Sequence, residues 1–150
     1  MPHFENSRDI QIAAEPAQVR ALIVDFHAWT QWSPWEELDP ELQRTYSGAE
    51  QGVGAHYAWE GNKKVGTGSM EIVRATDEEI EIDLQFLKPF KARNTTVFQV
   101  TGNANGTRVV WAMAGERNVL MALAGQLFLD KAIAKDFDKG LARLKAAAEA

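Results

Sequence analysis

Groups that transfer protons, attack carbonyl carbons or bind metals are sparse in this sequence. His3, His27 and His56 lie far apart and show no metal-binding spacing. The chain has no cysteine, which excludes disulfides, thiolate metal sites and cysteine nucleophiles. No serine lies in a nucleophile-elbow pattern, and the segment from Gly61 to Gly68 lacks the Gly-Lys-Ser/Thr sequence of a phosphate-binding loop. The residues therefore predict neither a metal site nor any other cofactor site.

Two ionisable residues fall on faces that should be dry, and these are the candidate catalytic residues. Tyr57 shares a strand face with Trp59, and helical spacing puts Asp130 near the apolar face of a C-terminal helix. A general acid or base must lie within hydrogen-bond reach of its substrate, which inward-facing groups could achieve. If Gly125 kinks the helix, Asp130 meets solvent instead, so both orientations of Asp130 stay open.

Two uncharged polar residues are also predicted to point inward. If Phe98 and Val100 lie on the dry face of their strand, Asn94 and Thr96 share that face, because side chains alternate along a strand. A buried polar group without a partner costs about 1–3 kcal/mol, so each such group requires an explanation. We expect Tyr57 and Asn94 to orient the polar end of a bound ligand.

Three tryptophans form the most conspicuous aromatic pattern. Trp29, Trp32 and Trp35 repeat every three residues and would share one face of a short helix. One interpretation is core packing that closes an open end of the sheet. The other is the wall or lid of a ligand cavity, since aromatic rings offer a large contact area at low entropic cost. The two interpretations are compatible.

About seven strands are predicted to position these residues. Alternation with a period of two is clearest from Glu79 to Phe86, where large apolar residues oppose acidic residues and glutamine, as in a sheet covered on one face. The acidic side chains there should meet water, where nothing shifts their pKa values. Gly66 and Gly68 suggest a bend or a space left on one face of their strand. The predicted strands are Phe4–Ile12, Leu42–Tyr46, Ala55–Trp59, Gly66–Ala75, Glu79–Leu87, Ala92–Val100 and Thr107–Ala114.

Helical patterns occupy the remaining parts of the chain. Pro16 suits the first position of a helix. His27–Asp39 is interpreted as a second, short helix that ends in a turn, because Ser33 precedes Pro34 and a residue before proline disfavours helical backbone angles. Gly140 suggests a bend or break in the C-terminal helix. That helix begins near Asn118 and carries an apolar stripe formed by Phe137, Leu141, Leu144 and Ala148. Strands framed by helices in this order predict an α+β fold.

Length and charge narrow the class of partner. The 150 residues fit one domain spanning 1–150. A formal net charge of −5 argues against binding a nucleic-acid backbone. The most apolar stretch, Val119–Leu129, is too short to cross a bilayer, and the N-terminus shows no signal-peptide pattern. We therefore expect a cytoplasmic protein without a nucleic-acid partner or stable membrane insertion, and a homo-oligomer stays open.

Several short motifs occur in an order that resembles one superfamily. They are Trp32-Ser-Pro-Trp35, Asp39-Pro40, Gly54, Tyr57-Ala-Trp59-Glu-Gly61-Asn62, Gly66-Thr-Gly68-Ser-Met70, Gly106-Thr107, Val110-Trp111, Asp136-Phe137 and Gly140-Leu-Ala-Arg-Leu-Lys145. Over nearly the whole chain they resemble the START-like ligand-binding proteins (SRPBCC), specifically the bacterial polyketide cyclase/dehydrase-like branch. The resemblance implies a helix-grip fold, in which a curved antiparallel sheet wraps a long C-terminal helix and leaves a cavity. It does not fix an activity, because the superfamily includes cyclases, lipid carriers, hormone receptors and chaperone-ATPase activators.

The function predicted on these grounds is binding of a small hydrophobic ligand (a lipid, a polyketide or an aromatic compound) in that cavity. One alternative is a polyketide cyclase or dehydrase that acts through Tyr57 or Asp130 without a metal or nucleotide cofactor. A second is a protein-interaction module of the chaperone-ATPase-activator type, which a large exposed apolar patch would favour. The predicted ligand-binding residues are Trp32, Trp35, Tyr57, Trp59, Met70, Leu84, Phe86, Asn94, Phe98, Trp111, Leu120, Leu123 and Leu127.

Overall fold

The structure is a computed structural model that describes residues 3–34, 41–62, 66–88, 91–116 and 129–150. Its helices are α1 (Pro16–Val24), a 3₁₀ helix (Phe26–Gln31) and α2 (Leu129–Glu149). None of the helices in these ranges is long and apolar enough to cross a membrane. The strands are β1 (His3–Ile12), β2 (Gln43–Gly48), β3 (Ala55–Glu60), β4 (Thr67–Ala75), β5 (Glu79–Lys88), β6 (Ala92–Asn103) and β7 (Gly106–Glu116).

The seven strands form one curved, open, antiparallel sheet in the order β1-β7-β6-β5-β4-β3-β2. From β2 to β7 every strand pairs with the next along the chain, as short connections favour. β1 instead pairs along its whole length with β7. Two register irregularities in β4, at Thr67/Gly68 and Ile72/Arg74, are of the kind that bends a strand. The predicted α+β helix-grip architecture is confirmed.

The core lies between the concave face of the sheet and α2. On β5, Ile80, Ile82 and Leu84 are buried while the residues between them are partly exposed, which confirms the predicted alternation. The stripe predicted on the C-terminal helix is buried as well, except at its half-buried last residue; it consists of Phe137, Leu141, Leu144 and Ala148. Burial of large apolar side chains contributes roughly 1.5–3 kcal/mol each, so these positions dominate the stability.

The short helix before β2 ends in a turn just before Pro34. The 3₁₀ helix stops at Gln31, and the backbone N–H groups of Trp32 and Ser33 both donate to the carbonyl of Trp29 at 3.1 and 2.8 Å. Ser33 precedes Pro34, and a residue before proline disfavours helical backbone angles. A short helix that ends in a turn before Pro34 is what the sequence predicts for this segment, and residues 35–40 lie outside the described ranges.

Gly140 does not break the C-terminal helix. α2 runs without interruption from Leu129 to Glu149, so of the suggested bend or break at this position the break does not occur. A Cβ atom at Gly140 would lie 2.8 Å from Cζ3 of Trp111 and 3.0 Å from Cδ of Pro34. The glycine therefore allows α2 to approach Trp111 closely. Gly125, the other predicted bend, lies outside the described residues.

Gly68 leaves space on the concave face, and a tryptophan fills that space. A Cβ atom at Gly68 would lie 2.3 Å from the carbonyl oxygen of Gln85 and 2.7 Å from two ring atoms of Trp59. Trp59 is the residue directly opposite Gly68 in the β3–β4 pair. An aromatic ring lying across a facing glycine supports an otherwise weak strand position.

On the convex face, one carboxylate departs from the predicted behaviour. Arg93 Nε and Nη2 donate to the two carboxylate oxygens of Asp83 at 3.0 and 2.9 Å. These hydrogen bonds lower the pKa of Asp83 below its ordinary value of 3.8, against the opposing effect of partial burial. The expectation of an unshifted carboxylate on this face is wrong for Asp83, because a bidentate arginine favours the charged form.

This pair makes stability depend on pH in a defined direction. Because the pKa of Asp83 is lower in the folded state, its contribution is complete above about pH 4, the unfolded pKa, and is lost as pH falls through the folded pKa. We expect Asp83→Asn to lower the free energy of unfolding at pH 7 and to have a smaller effect at pH 3. Urea unfolding at the two pH values measures this, with Arg93→Gln as the matched variant. An equal loss at both pH values would contradict the assignment.

Candidate functional site

An inner aromatic cluster, formed by Trp29, Trp32, Phe98, Trp111 and Phe137, fills one part of the concave face. Trp111 stacks on Phe137 with ring centroids 4.1 Å apart and on Phe98 at 4.9 Å. Trp32 meets the edges of Phe98 and Trp111 at 5.9 and 5.6 Å and lies 4.5 Å from Trp29. All five rings are buried. The predicted residues Trp32, Phe98 and Trp111 are thus brought together.

Hydrogen bonds to the end of α1 hold the two tryptophans of the 3₁₀ helix in place. Trp29 Nε1 donates to the carbonyl of Ile23, and Trp32 Nε1 donates to that of Leu22, each at 2.8 Å. Both bonds satisfy a buried indole N–H and use carbonyls at the end of a helix, which lack helical partners. The core-packing interpretation therefore describes Trp29 and Trp32. Trp35, the third of the series, lies outside the described residues.

Beside this cluster, four predicted residues form a straight row across four strands. Tyr57 faces Met70, Met70 faces Leu84, and Leu84 faces Asn94 in the registers of β3, β4, β5 and β6. All four side chains are buried. We call this set the Tyr57 row. Strand register alone places these residues side by side, although they span 38 positions of sequence.

A second row lies next to it, towards the ends of the same strands. Trp59 faces Gly68, and Gly68 faces Phe86. Trp59 lies 6.0 Å from Tyr57 in a stacked arrangement and meets Phe86 edge-on at 5.8 Å. Trp59 and Phe86 are only half-buried, unlike the inner aromatic cluster. This set, the Trp59 row, therefore offers accessible aromatic surface at the edge of a buried region.

Two polar atoms in this region have no hydrogen-bond partner in the described part of the chain. They are Asn94 Oδ1 and Thr96 Oγ1, on side chains only 5% and 2% exposed. Both residues lie on the dry face, as predicted from Phe98. By contrast, the buried Thr107 hydroxyl donates to the carbonyl of Ala14 at 2.7 Å. Such atoms cost about 1–3 kcal/mol each and therefore mark places where a ligand group or a water molecule fits.

Charged groups are missing from the buried part of the described chain. The buried polar residues there are Ser33, Asn94, Thr96 and Thr107, so Tyr57 is the single ionisable side chain among the buried residues described. Asp130 lies in the first turn of α2, and its side chain lies outside the described part. Acid-base chemistry on this face thus has two described tyrosines, the buried Tyr57 and the half-buried Tyr46, which faces it from β2 with ring centroids 5.3 Å apart.

The histidines whose side chains are described lie in hydrogen-bonded pairs outside the two rows, and His27 is joined to the Tyr57 row through Tyr46, whose ring lies 5.3 Å from that of Tyr57. His27 Nδ1 lies 2.8 Å from Asp25 Oδ1, and its ring stacks on Tyr46 at 4.0 Å. His56 Nδ1 lies 3.2 Å from Ser47 Oγ on the convex face. Within the described ranges, no group of three potential metal ligands comes together.

An open depression lies at the far end of β6, away from both rows. It is lined by the β1–α1 connection and the β6–β7 turn, and several of its polar groups are already hydrogen-bonded within the protein. Gln11 and Asn103, for example, exchange two amide hydrogen bonds of 3.0 and 2.8 Å. We therefore place the candidate site at the two rows, where buried polar atoms lack partners, and not in this depression.

Exposed apolar residues form no large patch among the described residues. The large ones are Val53, Val73 and Leu87. Val53 and Val73 flank the Gly54–Ile72 hydrogen bond, whereas Leu87 lies towards the opposite end of the sheet. Single exposed apolar side chains are ordinary, so this surface provides no support for the protein-interaction alternative.

A family model described as polyketide cyclase / dehydrase and lipid transport matches residues 1–149. The chain belongs to this family. Membership confirms the superfamily resemblance and supports a ligand-binding or cyclase role for this chain. No functionally curated protein is significantly similar to it in sequence.

Solved structures share the fold of this family member at low sequence identity. Protein SA2116 of unknown function from Staphylococcus aureus matches with a TM-score of 0.74 and 11% identity, over 99% of this chain and 94% of that one. The di-domain ARO/CYC StfQ from the steffimycin biosynthetic pathway matches with 0.72 and 12%, over 98% of this chain and 51% of that one. The Aha1 dimer from Colwellia psychrerythraea gives 0.64 and 16%, over 97% and 96%. At these identities the similarity shows the fold alone.

The structure describes some of the predicted ligand-binding residues, and others lie outside the described ranges. Nine of them lie on the concave face in the two rows and the inner aromatic cluster. The predicted set omits two interior residues, Phe137, which stacks on Trp111, and Thr96. The helical stripe predicts that Phe137 faces inward, and the alternation along β6 predicts the same of Thr96. Four predicted residues lie outside the described ranges, namely Trp35, Leu120, Leu123 and Leu127.

Proposed function

We propose that this protein reversibly binds a small, mostly apolar molecule against the Tyr57 row and the Trp59 row. The observation that carries the proposal is a pair of buried polar atoms without described partners, Asn94 Oδ1 in the Tyr57 row and Thr96 Oγ1 two positions along β6 from it. The half-buried aromatic surface of the Trp59 row borders the Tyr57 row on its other side. A site that is apolar with a few convergent polar groups is typical for small-molecule ligands. The family, which includes lipid transport in its description, supports the same class of ligand.

The side chains of the rows suit a flat, apolar ligand. Trp59, Phe86 and Tyr57 offer ring faces and edges, and aromatic contacts contribute about 0.5–1.5 kcal/mol beyond area burial. Met70, at the centre of the Tyr57 row, has a flexible, polarisable thioether that adapts to different shapes. The inner aromatic cluster then forms the closed end of the site. Lipids, polyketides and aromatic compounds all meet these requirements.

A titration with the neutral fluorescent probe N-phenyl-1-naphthylamine tests the proposal. We expect saturable binding of one probe per chain with a Kd of about 1–100 μM, the affinity that contacts of this size support. 2-Methylnaphthalene should displace the probe, and protein unfolded in urea should not bind it. Fluorescence that rises without saturation, or that persists after unfolding, would contradict a specific site.

A second candidate function is catalysis of the cyclase or dehydrase type. The family description and the position of the Tyr57 phenol in the row favour it. An efficient acid-base site usually combines several ionisable groups, and Tyr57 is the one such side chain among the buried residues described. The test compares Tyr57→Phe and Asp130→Asn with the parent for turnover of candidate polyketide substrates. Turnover by the parent that either variant loses while retaining probe binding would favour the enzyme over the carrier.

A further inference from the structure

We propose that Thr96, together with Asn94, makes the site selective for ligands that carry a hydroxyl group on an otherwise apolar body. The inference rests on the proposed function and names the class of ligand. Thr96 is absent from the set of site residues predicted from the sequence. Its role follows from where the sheet places its hydroxyl.

The two residues lie on one face of β6, two positions apart, so their Cα atoms are about 7 Å from each other. In register, Thr96 has Ile82 on one side and Met113 on the other, and neither side chain can accept a strong hydrogen bond. The Thr96 side chain is 2% exposed, and Oγ1 has no partner in the described chain. The hydroxyl therefore lies in an apolar setting on the face that the ligand would cover.

The chemistry of the two oxygens defines what they can recognise. The amide oxygen of Asn94 only accepts hydrogen bonds, whereas the Thr96 hydroxyl both donates and accepts. A phenol or alcohol on the ligand can donate to Asn94 Oδ1 or accept from Thr96. A carboxylate cannot donate, and the buried residues described here include no cation to neutralise it. The site should thus rank hydroxylated ligands above purely apolar ones, and carboxylates last.

A structural interpretation of Thr96 makes a different prediction. Valine has nearly the shape of threonine, so Thr96→Val retains the packing against Ile82 and Met113 while removing the unsatisfied hydroxyl. If the hydroxyl is buried but does not contact the ligand, the substitution leaves the affinity for every ligand unchanged. If the hydroxyl contacts the ligand, the substitution weakens the binding of hydroxylated ligands alone.

The experiment measures the affinities of 2-naphthol, 2-methylnaphthalene and 2-naphthoate by displacement of N-phenyl-1-naphthylamine from the whole protein. We expect the parent to bind 2-naphthol about five- to tenfold more tightly than 2-methylnaphthalene, the effect of one neutral hydrogen bond. Thr96→Val should abolish most of this ratio, and Thr96→Ser, which retains the hydroxyl, should preserve it. Thr95→Val is the matched control, because the neighbouring side chain is exposed on the convex face.

The outcomes separate this inference from the proposed function. A parent that binds the fluorescent probe but does not prefer 2-naphthol overturns the selectivity. A ratio unchanged in Thr96→Val overturns the role of Thr96, and both outcomes leave ligand binding intact. Tight binding of 2-naphthoate also overturns it. A parent that binds neither the probe nor any naphthalene overturns both proposals.

Discussion

Replacing Trp111 by alanine is expected to lower the free energy of unfolding by about 3–5 kcal/mol, the range measured for deleting a buried aromatic ring. Trp111 is stacked between Phe137 and Phe98, and its ring is the atom group nearest to Gly140 of α2. Its loss therefore removes the contact that joins the sheet to α2 through the inner aromatic cluster. Since the free energy of unfolding of a domain of this size is about 5–15 kcal/mol, this loss is a large fraction of it.

Urea unfolding followed by circular dichroism measures this loss without relying on tryptophan fluorescence. Trp111→Phe retains a ring and should be less destabilising than Trp111→Ala. If the alanine variant does not fold, the phenylalanine variant still gives a measurable loss of stability. Trp59→Ala is the comparison at a half-buried ring, where we expect a smaller change. Equal losses at positions 59 and 111 would contradict the distinction between a packed cluster and an accessible row.

Replacing Met70 by tryptophan is expected to reduce the affinity for N-phenyl-1-naphthylamine at least tenfold, equivalent to about 1.4 kcal/mol. Met70 lies at the centre of the Tyr57 row, between Tyr57 and Leu84. The indole ring introduced there occupies the space that the ligand needs. If that space is open in the free protein, the added ring displaces no neighbour, and the free energy of unfolding should change by less than about 1 kcal/mol.

The matched control places the same ring where no space is expected. Ile80 is fully buried on β5, directly opposite Phe98 of the inner aromatic cluster. Ile80→Trp should lower the free energy of unfolding by about 1–3 kcal/mol or more through overpacking. Probe titration and urea unfolding of both variants give the comparison. A Met70→Trp variant that is as unstable as Ile80→Trp, or that binds the probe as the parent does, would exclude a pocket at the Tyr57 row.

Much of the fold follows from patterns that are local in sequence. The alternation through Ile80, Ile82 and Leu84 identifies the buried face of β5 without any knowledge of its neighbours. Features that depend on neighbours distant in sequence are harder to predict. The need for Gly140 comes from Trp111 and Pro34, and the lowered pKa of Asp83 comes from Arg93.

The same division applies to the candidate site. The inward direction of Asn94 and Thr96 follows from Phe98 on the same strand, because alternation is a local property. The row that begins at Tyr57 ends at Asn94 because of the register of three strand pairs, and one sequence does not reveal this register. The absence of partners for the two polar oxygens in the described chain becomes visible only when all neighbours are in place.

Nuclear magnetic resonance of the protein labelled with carbon-13 in the methionine methyl groups tests the central claim most directly. The Met70 signal, assigned through Met70→Leu, reports on the middle of the Tyr57 row. During a titration with 2-naphthol, we predict that this signal shifts and saturates with the same Kd as displacement of the fluorescent probe. A Met70 signal that stays unchanged while the protein is saturated with 2-naphthol would show that the ligand binds elsewhere.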